Sequence, residues 1–190
     1  LRYVLPLKLL DMVGVWLKAL RVIPQVSKQQ WESYDIVSRW LISTRAAVFI
    51  MTGLAAAIGA LLAYRSGSFS WPIFLLTFVG LIFAHATNNL LNDYVDYTKG
   101  VDKDNYFRAL YGPHPLENGF LTKNRFITYI VVTGLLALMA GLAITYLVGL
   151  QTLWLLIPGL FFLLFYTWPL KYYGLGEISV VLVWGPLMIG

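Results

Sequence analysis

The chain has 190 residues, 59% of them hydrophobic and 12% charged, with a net charge of +5 and a mean hydropathy of +0.71. That leaves too little polar surface to coat a water-soluble globule, so the composition specifies an integral membrane protein. There is no cysteine, which excludes disulfides and thiolate metal centres, and two histidines leave little for a histidine zinc site, so any metal needs oxygen ligands.

From the N-terminus, Lys8, Asp11, Lys18 and Arg21 recur at helical spacing on one face, while Leu5, Leu9, Met12, Trp16 and Leu20 favour the other. Two placements suit such a helix: flat on the membrane surface, or packed as a cytoplasmic helix on the membrane domain. Residues 1–44 therefore form a segment distinct from 45–190. They show no convincing soluble domain, no internal repeat and no signal-peptide pattern.

Uncharged apolar runs follow at 46–63, 71–91, 126–150 and 152–170, each long enough to cross a hydrocarbon core about 30 Å thick. A fifth run, 178–190, ends after 13 residues, too short to span. The predicted fold is all-α, a polytopic transmembrane helical bundle. The sequence begins without Met and has no polar tail after Gly190, so it is expected to be part of a longer polytopic protein.

Every one of the 14 lysines and arginines except Arg65 falls on one side of this arrangement, before span one, between spans two and three, or after span four. Short cytoplasmic loops collect Lys and Arg. The N-terminus and the end of span two are thus expected in the cytoplasm. Topology and anionic lipid account for the basic charge without nucleic acid.

The end of span two reads "NNLLNDYVDYTKGVD" over 88–102. If the helix continues through Tyr97, then His85, Asn89, Asp93 and Asp96 or Tyr97 share a face, with Asn92 beside them. Asp93 and Asp96, one turn apart, project toward a common space. Close carboxylates repel unless a cation or a shared proton lies between them. Ionisable groups at this depth are costly and face a bundle interior or a wet cavity. Oxygen ligands on a carboxylate pair suit Mg²⁺, which completes its octahedron with water and substrate phosphate. Asp102 and Asp104 add anions, and Lys99, Lys103 and Arg108 add cations, a mixture that fits a diphosphate held through metal.

A plainer reading stands beside this one: an acidic helix end followed by lysines is also what a solvated exit from the membrane looks like. The segment "DKDNYF" lacks the glycine and terminal glutamate of a calcium loop. His85 reads as a hydrogen-bonded packing residue before a base, and His114, between two prolines, as a loop-shaping residue. Gly53, Gly59, Gly134 and Gly141 read as close helix packing, and Pro158 as a kink in span four.

These residues resemble the UbiA superfamily of intramembrane prenyltransferases. "NDYVDYTKGVD" is similar to the family's first aspartate-rich motif, in the form found in the menaquinone branch, with Lys99, Gly100 and Asp102 after the second aspartate. "WLISTR" (40–45), "RALYGPHPLENGFLT" (108–122) and "YTWPLKYYGLGEISVVLVWGPL" (166–187) agree in order, so the resemblance covers about residues 40–190. It implies a larger bundle, of about nine spans with about five present here, whose central cavity opens sideways to lipid. It implies Mg²⁺ as cofactor and a prenyl diphosphate as substrate. Asp93, Asp96 and the displaced Asp102 match metal positions. Asn89, Asn92, Lys103, Arg108, Lys171 and Arg45 match substrate-binding positions, and Tyr166 a tyrosine near the reacting carbon. With Asp93 and Asp96 it forms the expected catalytic set.

Two departures stand out. No proline follows Arg45, and the second aspartate-rich motif is missing, Glu177 being the only acid after Lys171. The implied reaction is transfer of a polyprenyl group to an aromatic ring, 1,4-dihydroxy-2-naphthoate in the menaquinone branch. Other acceptors remain open: 4-hydroxybenzoate, homogentisate, a porphyrin or a glycerol phosphate. The competing class is a non-catalytic transport or scaffold protein whose polar cluster lines an ion path. The implied setting is a prokaryotic cytoplasmic membrane with the active site on the cytoplasmic side.

Overall fold

The computed structural model describes residues 9–101 and 112–189. Three short helices lead into the bundle: α1 (Leu9–Arg21), α2 (Lys28–Ser33) and α3 (Ile36–Ser43). Each start has a local cause. Ser27 and Gln30 form a reciprocal capping box on α2. Asp35 caps α3, accepting from the amides of Val37 at 2.8 Å and Ser38 at 3.0 Å. The Asp35 carboxylate also takes the indole N–H of Trp16 at 3.1 Å, which ties α1 to α3.

α1 is docked rather than free-standing, since Ala19 is buried and Val15 and Trp16 pack on the core that contains Trp31, Leu41, Ile42 and Phe126. Leu10, Val13, Leu17 and Leu20 are exposed on another face of the same helix. Packing on the domain and an apolar outer face therefore coexist, and the two placements allowed by the sequence are not exclusive.

Among the described residues, four helical stretches are long and apolar enough to cross a membrane: Ala46–Arg65, Trp71–Thr98, Lys123–Val148 and Leu150–Tyr173. They contain α4 (Phe49–Arg65), α5 (Trp71–Thr98), α6 (Lys123–Val148) and α7 (Leu153–Phe165). The expected spans are all present, and α5 runs on through the polar motif to Thr98. A shorter helix, α8 (Gly176–Leu182), continues as a π-helical turn through Leu187. No strand occurs among the described residues. The outer surface is apolar, with Ile50, Leu61, Val131, Met139, Trp154 and Ile157 exposed. A bilayer covers such a surface without leaving backbone polar groups unsatisfied, because the helices bond internally.

Small residues let α5 and α6 approach closely. A Cβ on Gly80 would meet that of Ala140 at 2.9 Å, and one on Gly134 would touch Thr87 at 3.5 Å. The hydroxyls of Thr87 and Thr133 meet across the same seam at 2.8 Å. Gly53 lies over Phe78, Gly59 over the Met188 carbonyl and Gly141 against Leu156, in line with the packing role expected of these glycines.

Candidate active site

Two irregular joints put the polar residues in place. The first is Arg45, whose left-handed backbone (φ 54°) stops α3 and redirects the chain into the turn Ala46–Val48 and then α4. That conformation costs a residue with a Cβ about 1 kcal/mol or more, so glycine is the usual choice. Arginine stands there because its guanidinium is needed where the turn aims it. It forms an ion pair and hydrogen bond with Asp93 on α5. Asn89, one turn earlier on α5, donates from Nδ2 to the carbonyl of Thr44 at 2.8 Å, so the end of α3 is held on the same helix face.

The second joint lies beyond α7. Residues Tyr166–Leu170 form a widened turn broken at Trp168 (φ −133°, ψ 124°) before the tight turn Lys171–Tyr173. The break places Lys171 Nζ 2.7 Å from Asp96 Oδ2 and 2.9 Å from Asn92 Oδ1, while the Tyr172 hydroxyl donates to Asp96 Oδ1 at 3.0 Å. Asn92 Nδ2 in turn donates to Asp96 at 3.1 Å. Lys99 lies 3.6 Å from the centre of the Trp168 ring, a close cation–π contact that staples the end of α5 to the same joint.

Asp93 is 1% exposed and Asp96 3% exposed. Each meets its own cation, Arg45 for one and Lys171 for the other, so the pair is neutralised from two sides rather than facing across open space. A buried carboxylate without such a partner is strongly destabilising.

Beside this polar end runs a cavity of about 560 Å³. Arg45, Asn89, Asn92 and Tyr166 line it, and deeper walls come from α5, α6, α7 and the segment after α8. Asp93 and Asp96 do not line it themselves, but Arg45 and Asn92, which bond them, do. Most of the wall is apolar, with Leu the commonest residue and Ile, Val, Ala and Gly beside it, the kind of surface that takes a long apolar ligand.

The structure thus gathers Arg45, Asn89, Asn92, Asp93, Asp96, Tyr166 and Lys171 at one end of the bundle. Asp102, Lys103 and Arg108 lie outside the described residues, as does Asp104. Among the described residues no group of three acidic or histidine side chains is close enough to hold a metal by itself. The donor chemistry that is present, two carboxylates and two amide oxygens a turn or less apart, is of the oxygen kind Mg²⁺ takes, with water and phosphate as further ligands.

Of the aromatic residues near this end of the bundle, Tyr166 lines the cavity. Phe83 packs on Trp40, Tyr97 on His114, Trp168 carries Lys99, and Tyr94 lies 5.5 Å from Lys123. His85 has the hydrogen-bonded, packed role expected of it: Nδ1 lies 2.7 Å from Thr52 Oγ1, with Phe49 and Trp184 against its ring. His114 shapes its loop, its amide donating to Asn118 Oδ1 at 2.7 Å. The sequence reading missed Tyr172 and Thr52. Tyr172 follows Lys171 directly, and its place inside a broken apolar helix end was the available signal; Thr52 gave none.

A membrane-spanning all-α bundle with a carboxylate and cation site at one end of an apolar cavity narrows the class of protein considerably. The model of the UbiA prenyltransferase family matches residues 46–190, and the chain belongs to that family. It is 30% identical over 160 residues to the 1,4-dihydroxy-2-naphthoate octaprenyltransferase of Escherichia coli (strain K12), covering 79% of this chain and 51% of that protein. It is 27% identical over 161 residues to UbiA prenyltransferase domain-containing protein 1 of Xenopus tropicalis, 79% of this chain and 44% of that one. The Drosophila melanogaster homolog of that protein is 29% identical over 143 residues, 70% and 38%. The chain spans about half the length, or less, of these relatives. No solved structure matches.

Proposed function

We propose that the protein transfers a polyprenyl group from a prenyl diphosphate to an aromatic acceptor, with Mg²⁺, and that the acceptor is 1,4-dihydroxy-2-naphthoate. The observation that carries this reading is the joining of two buried carboxylates and their two cations to an apolar cavity through Arg45 and Asn92. The name of the bacterial relative supports the choice of acceptor.

In this reading Asp93 and Asp96 hold the metal, with Asp102 as a third acid. Bound there, Mg²⁺ adds positive charge that stabilises a departing diphosphate. Arg45 and Lys171 sit at the same carboxylates and present fixed positive charge to the phosphate oxygens, so the charge that develops on the leaving group meets preorganised partners. Asn89 and Asn92 orient it by hydrogen bonding. As the allylic C–O bond breaks, the diphosphate takes the electron pair, and the cation left behind must be shielded from water. The apolar wall does this, and the face of Tyr166 stabilises the charge. The electron-rich ring then forms the new C–C bond, and its carboxyl group leaves as carbon dioxide. The cytoplasm is the expected side for this end of the bundle, given the distribution of Lys and Arg.

The test is prenyl transfer by the full-length protein in nanodiscs, with labelled geranylgeranyl or farnesyl diphosphate and 1,4-dihydroxy-2-naphthoate, with and without Mg²⁺. Metal-dependent product is expected, and a drop of at least about a hundredfold in Asp93→Asn and Asp96→Asn, as for loss of a preorganised charge partner. Diphosphate binding without product on this acceptor rejects the acceptor, and no metal-dependent binding rejects the reaction.

A further inference from the structure

Away from the carboxylates, Thr52 and His85 form a polar pair on the cavity wall that the reaction above does not use. Thr52 on α4 is 0% exposed, and among the described residues His85 Nδ1 is the sole hydrogen-bond partner of its hydroxyl. A buried hydroxyl proton needs an acceptor, and leaving it without one costs about 1–3 kcal/mol. Thr52 therefore donates, and Nδ1 accepts.

That choice decides the rest of the ring. A neutral imidazole with an accepting Nδ1 carries its proton on Nε2. Phe49 and Trp184 pack on the ring, with centroids at 5.3 and 5.6 Å, and limit its rotation. Nε2 has no protein partner among the described residues and is not sealed from its surroundings, and His85 lines the cavity. The chain thus presents an oriented N–H donor to a largely apolar part of the cavity.

A hydrocarbon chain filling that part of the cavity would leave the donor stranded. We infer that the Thr52–His85 pair is a recognition element for an oxygen atom of the aromatic acceptor, a ring hydroxyl, carbonyl or carboxylate. His85 lies two helical turns, about 12 Å, along α5 from Asp93. It is therefore removed from the diphosphate end, and the diphosphate of the prenyl donor is bound without it. This inference rests on the aromatic prenyl transfer proposed above and adds the element that selects an oxygen-bearing ring over a second apolar chain.

The experiment measures steady-state prenyl transfer to 1,4-dihydroxy-2-naphthoate by the full-length protein in nanodiscs, comparing wild type with His85→Phe, His85→Gln and Thr52→Val. Phe keeps the ring and removes the donor. Gln keeps an N–H at a similar reach. In His85→Phe the KM for the acceptor is expected to rise about tenfold, the range of one lost hydrogen bond, while the KM for the prenyl diphosphate stays within about twofold. His85→Gln should recover most of the loss, and Thr52→Val, which frees the imidazole to change tautomer, should show a smaller rise. An unchanged acceptor KM in His85→Phe means the donor meets water or lipid chain, and overturns the inference. So does an equal shift in both KM values, which is the mark of disturbed packing. If the wild type makes no product, the underlying reaction is what has failed; product from wild type with indifferent variants removes this inference alone.

Discussion

Arg45 carries two costs at once, a left-handed backbone and a charge only 22% exposed, and both are explained by its bond to Asp93. Removing the guanidinium takes the Arg45 ion pair away from a carboxylate that is 1% exposed. Arg45→Met should therefore destabilise the fold by about 3 kcal/mol, the range for breaking a buried pair. The double variant Arg45→Met/Asp93→Asn should regain most of that. Thermal melting in detergent micelles checks it, and equal losses in the single and double variants would show that the pair is not what Arg45 supplies. Asp93 and Asp96 were legible in the sequence, because carboxylates at the end of an apolar run need a reason. Which cation would answer each was not legible, since Arg45 and Lys171 are 48 and 75 residues away from their partners.

At the scale of elements, the four spans could be read directly, because their length and freedom from charge are properties of the chain itself. The joints could not. The widened turn at Tyr166–Leu170 and the left-handed stop at Arg45 are set by what they must reach, and hydropathy does not record that. The short helices before the bundle depend on caps, and Asp35 is the central one. Partial burial pushes its carboxyl upward, but hydrogen bonds from the Ser38 side chain and amide, the Trp16 indole and the Val37 amide outweigh it and hold the pKa below the ordinary 3.8. A lowered folded-state pKa means that the stability Asp35 supplies is fully present above 3.8 and is lost as the pH falls through the lower, folded value. Asp35→Ala should thus melt earlier at neutral pH by about 1 kcal/mol, the usual worth of a helix cap. The gap to wild type should close on acidification below 3.8. A gap that stays constant across the titration would show that the charge contributes nothing.

For the molecule as a whole, the alternation of α4, α5, α6 and α7 puts Arg45, Asp93, Asp96 and Lys171 at one end and the turns near Ser68 and Gly149 at the other. The chain has no cysteine, so single Cys substitutions report on sidedness without background. Ser68→Cys and Glu117→Cys, both exposed, should react with a membrane-impermeant maleimide from opposite faces, Glu117→Cys from the cytoplasmic one. Labelling of both from the same face would overturn the arrangement.

The distances along the chain between the paired charges also set an order of events during synthesis. Arg45 enters the membrane surface 48 residues before Asp93 is made, so the first pair can close as soon as α5 has crossed. Asp96 must wait for Lys171, 75 residues later, and therefore for α6 and α7 to be inserted and folded back. A ribosome paused between these points carries a nascent protein whose first carboxylate is already neutralised and whose second is still bare. Of the two pairs described, the one between Asp96 and Lys171 therefore closes after the one between Asp93 and Arg45, because it waits for the fourth of these spans.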